Sequence, residues 1–226
     1  MRKGHYADSN RYDHPRRVQT FLERTFAKVP NEIRRRLKYD KEAQWSATNM
    51  DDADSMSKRM LKHMSPEDTI TDATACIGGN VLSFSKHFAH VNAIELNDTR
   101  YEYLVNNVSV LDLDNVTVIH GNALDEVPKL TQTCVFMDLP WGGPDYWKED
   151  RIDLFLHDEN GPVNMIDVCK RFRPYCEFIA MKVPENFDLP KFIWETFDDF
   201  KILDIVTSYR KMNLLIIQRR HSADRE

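Results

Sequence analysis

Two hydrophobic rhythms follow one another along this chain. From Arg11 to Lys38 the apolar residues Val18, Phe21, Leu22, Phe26, Ile33 and Leu37 recur at three- to four-residue spacing. This period predicts helices, with Pro30 dividing two of them. Residues 52–64 read as a further helix whose one face carries Met56, Met60 and Met64, a stripe suited to filling a core. Beyond Met64 the pattern changes to short β-branched or apolar runs at Thr69–Ala73, Val91–Glu95, Val116–His120, Cys134–Asp138, Phe178–Val183, Ile202–Val206 and Leu214–Gln218. Helix-like stretches at Val81–Ala89, Asp98–Leu111, Ala123–Leu130 and Val163–Phe172 separate the first five runs, and crossovers of that length permit parallel neighbours. The last two runs are joined by Thr207–Asn213, a hairpin-sized connection. The expected fold is therefore α/β, a mostly parallel sheet with an antiparallel C-terminal hairpin. Residues 1–64 form a small helical extension on a domain of residues 65–226, and a ligand is expected at the carboxyl ends of the strands.

A length of 226 residues suits one such domain with a short appendage and not two enzyme domains. No apolar run approaches the roughly 18 residues needed to span a membrane, and MRKGHYADSNRYDHPRR lacks the apolar stretch of a secretory signal. The four cysteines show no CxxC spacing, so reduced thiols, no metal and a nuclear or cytoplasmic location are expected. The net charge of −5 argues at first against nucleic acid, but it is unevenly spread. Residues 1–40 hold 11 Lys/Arg and 5 Asp/Glu, whereas residues 41–226 hold 20 and 31. That asymmetry suits a basic arm meeting phosphates beside an acidic body that does chemistry, or else simply a solvated helical face.

The first predicted strand ends in Asp72, and the loop ATACIGGN leads into the next helix. Gly78 and Gly79 allow a tight turn and a close backbone approach to a ligand at a helix mouth. Dinucleotide-binding proteins share such a loop, but a pyrophosphate favours bare amides and cations. Asp72 instead offers a carboxylate, suited to a sulfonium or an ammonium. Glu95 ends the second strand, where it can accept from both ribose hydroxyls.

The segment DLPWGGPDY follows the fourth strand. An exocyclic base amine is a poor nucleophile, because its lone pair is delocalised into the ring. A site that methylates it must hold the nitrogen in line and offset the developing positive charge. Asp138, the carbonyl of Leu139 and the rigid Pro140 can do both, and Trp141 offers a flat face to a base.

In order, DATACIGGN, AIELN, HGNAL and DLPW at four successive strand ends resemble the motif series of class I S-adenosylmethionine-dependent methyltransferases. PWGGPDY, LKYDKEAQWS and the pair Asn106–Asn107 are similar to segments of the trimethylguanosine synthase family, over about residues 35–218. The resemblance implies a Rossmann-like sheet and S-adenosylmethionine as cofactor. Asp72, Ala73, Thr74, Gly78, Gly79 and Asn80 would hold its methionine part, Glu95 its ribose, and Asn122 with Ala123 its adenine edge. It further implies capped RNA as partner, an N7-methylguanosine cap methylated at N2 to di- or trimethylguanosine, by a monomer. Asp138, Leu139 and Pro140 would be catalytic. Trp141 would stack on the base and Asn107 close its other face, while Tyr146, Lys38 and Asn186 approach the cap phosphates. Two positions depart from the family pattern, which has Ser-Pro-Pro-Trp at residues 138–141 and Arg in place of Glu185. Lys182, or Arg210 and Lys211, could then supply the missing phosphate contact. Aspartate at the first position is common in adenine-N6 methyltransferases, so an adenine-N6 or internal guanine-N2 enzyme stays open, as does a non-catalytic capped-RNA-binding protein.

Overall fold

The computed structural model describes residues 21–143, 145–209 and 212–221. Residues 11–20 of the first predicted helix, most of the basic arm, and Arg210 and Lys211 lie outside the described residues. The N-terminal segment carries short helices at residues 21–25 (α1), Asn31–Arg34 (α2) and Ala43–Ser46 (α3), then the longer α4, Met50–Met60. Asn49 caps α4 by accepting from the Asp52 N–H, with acids in its first turn and bases in its last, as the helix dipole favours. Its Met56 and Met60, with Met64 just beyond, are buried against the sheet.

The α/β expectation holds. After β1 (Thr69–Asp72), α5 (Val81–His87), β2 (His90–Glu95), α6 (Asp98–Val110), β3 (Val116–His120), α7 (Ala123–Glu126) and β4 (Cys134–Met137), the chain forms a hairpin of β5 (Phe155–Asp158) and β6 (Gly161–Asn164). It continues through α8 (Met165–Phe172), β7 (Phe178–Pro184), α9 (Leu189–Thr196), β8 (Phe200–Tyr209) and β9 (Met212–Arg219). Seven strands make one sheet in the order β3-β2-β1-β4-β7-β9-β8. The pairs around β1 and the β4–β7 pair are parallel, and β9 runs antiparallel to both neighbours.

Three elements differ from expectation. Residues 161–164 pair with β5, so the predicted helix at Val163 starts at Met165, where Asn164 caps it. Helix α9 intervenes before β8, started by the Asp188 side chain accepting from the Lys191 N–H, with Pro in its first turn. The final hairpin is longer than predicted, because β8 runs to Tyr209 and β9 starts at Met212.

The sheet separates two apolar clusters, one under α7 and α8 and one under α4 and α5. A third cluster joins Phe21, Phe26, Val29 and Leu37 of the N-terminal segment to Ile77 and Leu82 beside the glycine loop. The chain runs from β1 leftward through β2 and β3, then returns to β4 on the other side. The carboxyl ends of β1, β2 and β4 thus meet at the switch point where open α/β sheets take ligands. Register makes this concrete: Asp72 pairs with both Ala93 and Phe136, and Met137 with Met181.

Candidate active site

Asp72 is fully buried at the end of β1. One oxygen, Oδ1, accepts the Thr74 N–H at 3.1 Å, while Oδ2 is buried without a partner. Burial, and then repulsion from Asp138 and Glu95, raises its pKa from 3.8 to about 7, against the Thr74 hydrogen bond and Lys182. An unpartnered buried carboxylate oxygen is costly, and a cationic ligand group would relieve it. The loop beyond turns at Cys76 and at Gly78, with φ of 50° and 96°. A Cβ on Gly79 would lie 2.8 Å from the Thr48 carbonyl oxygen, so the N-terminal segment packs directly on this loop. At its helix end the Asn80 side-chain oxygen is also buried and unpartnered.

Glu95 ends β2 and is buried. It accepts the Cys76 N–H at 2.9 Å and the Asn97 N–H at 2.8 Å, which fixes the turn of the loop beside it. Arg100 stands 3.4 Å from Glu95 and 2.6 Å from Glu42, a tie between α6 and the N-terminal segment that sequence reasoning missed. Asn122 caps α7 by accepting from the Leu124 N–H at 3.0 Å and donates to the His157 carbonyl at 2.7 Å; the buried Ala123 follows it.

Asp138 follows β4, where its N–H donates to Thr74 Oγ1 at 2.9 Å. Its Oδ2 accepts from Lys182 Nζ at 2.5 Å. Burial raises the Asp138 pKa and the Lys182 ammonium works against that rise. Leu139 is buried in the core, and Pro140 passes the chain to Trp141. The Trp141 indole packs on the clusters of both sheet faces and meets Tyr146 edge-on at 5.0 Å between centroids. Its Nε1 is buried without a partner. Lys182 Nζ lies 5.3 Å from the Trp141 ring centroid. Asn186 donates to the carbonyls of Tyr146 and Glu149, both at 2.9 Å, and so pins the loop after Trp141 to the end of β7. The Tyr146 phenol is raised by burial and then by the Glu185 carboxylate.

The structure therefore brings together Asp72, Asp138, Trp141, Tyr146, Lys182 and Asn186 around the ends of β1, β4 and β7, with Asn80 at the start of α5. Asn107 lies on α6, beside the glycine loop. It is 1% exposed, accepts from the Lys38 N–H at 2.8 Å and Asn106 Nδ2 at 3.0 Å, and donates to the Lys38 and Ile77 carbonyls at 2.9 and 3.0 Å. With its side-chain amide bonded in this way, it tethers Lys38 to the glycine loop. Lys38 itself is exposed. Lys182 is buried on the Asp138 carboxylate. Its pairing had a signal in the sequence, since a lysine within the apolar strand run IAMKV needs a buried anion. Thr48, which accepts from Lys182 Nζ at 3.0 Å, had none.

The strand order with an antiparallel β9, the glycine loop at the switch point and the carboxylates that end β1 and β2 define a class I methyltransferase, a class in which S-adenosylmethionine is the methyl donor. Solved structures agree on the fold: a Pyrococcus horikoshii protein described as an RNA methyltransferase superposes with a TM-score of 0.59 at 12% identity, covering 88% of this chain and 98% of that one. A Geobacter metallireducens precorrin-6y C5,15-methyltransferase gives 0.55 at 12% identity, covering 82% and 94%. The chain belongs to the RNA cap guanine-N2 methyltransferase family, whose profile matches residues 67–218. An uncharacterized protein of Acanthamoeba polyphaga mimivirus is 35% identical over 156 residues, 66% of this chain and 58% of that protein. The trimethylguanosine synthase of Schizosaccharomyces pombe is 28% identical over 157 residues, 66% and 64% of the two chains. The match thus spans less than two thirds of either relative's own length. No described helix is long and apolar enough to cross a membrane.

Proposed function

We propose that this protein transfers methyl from S-adenosylmethionine to the exocyclic N2 of an N7-methylguanosine RNA cap. The observation that carries the reading is the identity of the buried side-chain nitrogen and oxygen atoms without partners. Among the described residues these are Asp72 Oδ2, Asn80 Oδ1, Trp141 Nε1 and Asn186 Oδ1. All four stand in segments that the sequence assigned to cofactor or cap, and buried polar groups left unpaired elsewhere in a fold are rare.

When bound, S-adenosylmethionine supplies an electrophilic methyl on a sulfonium. Asp72 would hold its ammonium and Ala73, Thr74, Gly78, Gly79 and Asn80 would wrap its methionine part. Glu95 would take its ribose, and Asn122 with Ala123 would edge its adenine. Asp138 and the Leu139 carbonyl would accept the two N–H bonds of the guanine amine, with Pro140 fixing that carbonyl. Trp141 would carry the cationic base, and Tyr146 and Asn186 would shape the phosphate side. In the same proposal residues 1–64 form an N-terminal extension, whose Thr48 packs on the glycine loop, of a catalytic domain, residues 65–226. The test is incubation with labelled cofactor and either N7-methylated or unmethylated cap dinucleotide, followed by mass analysis. Label on N2 of the N7-methylated cap alone is expected. Label on adenine N6 or on internal guanine would replace the cap reading, and binding without transfer would leave a capped-RNA-binding protein.

A further inference from the structure

We propose that Lys182, held by Thr48, is a positioning residue for methyl transfer: its ammonium keeps the Asp138 carboxylate charged and fixed, with one oxygen left to receive the substrate amine. The inference deepens the reading of Asp138 as acceptor and rests on it.

Strand β7 is apolar around this position. Ile179, Ala180, Met181 and Val183 are at most 2% exposed, and Lys182 itself is 6% exposed. A buried lysine persists only where its charge is met. Here it is met by Asp138 Oδ2 at 2.5 Å, Thr48 Oγ1 at 3.0 Å and the Trp141 ring at 5.3 Å. The parallel pairing of Met137 with Met181 is what brings the next residues, Asp138 and Lys182, side by side. Among the described residues Asp138 Oδ1 has no protein partner. The pair therefore divides the carboxylate, one oxygen for the lysine and one for the ligand.

The charge around Asp138 shows why an ammonium is needed. Asp138 shares an acidic cluster with Asp72 from β1 and Glu95 from β2, and Lys182 from β7 is the cation that faces it. Burial alone drives a carboxyl toward the neutral acid. A neutral carboxyl can offer an O–H to a group that needs an acceptor. As the N–CH3 bond forms and the S–CH3 bond breaks, leaving its electron pair on sulfur, the amine gives up one proton, and Asp138 Oδ1 is the acceptor. That acceptor works only as the anion.

The test uses Lys182→Met, Thr48→Val and Thr48→Ser in the full chain. The Asp138 carboxyl carbon, identified by its loss in Asp138→Asn, is titrated by 13C NMR with neither RNA nor cofactor. The pH dependence of kcat is measured in parallel. In Lys182→Met the titration midpoint and the acid limb of kcat should both move upward. Activity at saturating S-adenosylmethionine should recover in alkaline solution, and turnover at neutral pH should fall about tenfold for each pH unit by which the limb passes neutrality. Thr48→Val should move both in the same direction by less, and Thr48→Ser should return the midpoint to the wild-type value. An unmoved midpoint in folded Lys182→Met, or a loss of kcat that is equal at every pH, overturns the proposal. Should Lys182→Met fail to fold, the same two outcomes are read from Thr48→Val. A wild type that titrates as expected but methylates no cap analogue overturns the cap reading instead, with the carboxylate–ammonium pair still decided by the NMR arm.

Discussion

Replacing Asp72 with asparagine should weaken cofactor binding and stabilise the fold, and both effects come from one buried oxygen. The carboxyl is fully buried and its pKa is raised from 3.8 to about 7. Below pH 3.8 it is protonated in the folded and the unfolded chain alike. Between 3.8 and about 7 the unfolded chain has lost the proton and the folded one keeps it, so stability falls as pH rises through that window. Above it both are ionised and the whole penalty remains, about 4 kcal/mol at about 1.4 kcal/mol per pH unit. Asparagine keeps the acceptor for the Thr74 N–H but places an NH2 group where Oδ2 was, and an unsatisfied buried donor costs about 1–3 kcal/mol. The net gain at pH 8 is therefore about 1–3 kcal/mol, or a Tm rise of about 2–4 °C per kcal/mol for a chain of this size. At pH 5 only about 2 kcal/mol of the penalty has accumulated, which the unsatisfied NH2 group offsets, and the gain should vanish. Against this, the cofactor ammonium loses a charge-assisted hydrogen bond of about 1.5–3 kcal/mol, which weakens binding about ten- to 150-fold. Wild-type affinity should also fall below pH 7, and that of the variant should not. Calorimetric melting at pH 5 and pH 8, with titration of S-adenosylmethionine across the same range, reads all of these. A variant that melts no higher than wild type at pH 8, together with a wild-type affinity flat in pH, would refute the reasoning.

Three other outcomes are expected. In wild type the Kd should favour N7-methylated over unmethylated cap analogues by roughly two- to 30-fold, from a cation–π contribution of about 0.5–2 kcal/mol. In folded Trp141→Ala the ratio should approach one, whereas a Trp141 that serves only packing would lower Tm and leave the ratio intact. Asn107→Ala removes the partners of the Lys38 N–H and of the Lys38 and Ile77 carbonyls; urea unfolding should show a loss of about 2–4 kcal/mol, and a loss below 1 kcal/mol would deny the tether. Deleting residues 1–20, a cut that spares the buried Phe21 and Phe26, should flatten the salt dependence of binding to long capped RNA but not to a cap dinucleotide; equal slopes with and without the segment would make its charge mere solvation.

Much of this molecule was legible without coordinates because the signals are local. Strands β1 to β4 and β7 to β9 follow from β-branched and apolar runs of the right length, and the glycine loop and DLPW are written at strand ends as contiguous residues. Asn49, Asn97 and Asn164 each cap a helix by accepting from an N–H three residues on, an interaction contained within one turn. The hairpin of β5 and β6 was not legible, since Phe155–Asp158 is half exposed and gains its partner only by folding back. What tertiary structure alone decided is which distant groups share a space. Asn107 reaches Lys38 and Ile77 only because α6 packs beside residues 37–38 and the glycine loop. Lys182 announced that it needed an anion, but the choice of Asp138 came from the parallel register of two strands some 40 residues apart in the chain. Thr48 joined them only because Gly79 has no Cβ and lets the N-terminal segment approach. Periodicity and turn chemistry are properties of neighbours along the chain, whereas the partner of a buried charge is set by register and close packing between elements that the chain itself keeps apart.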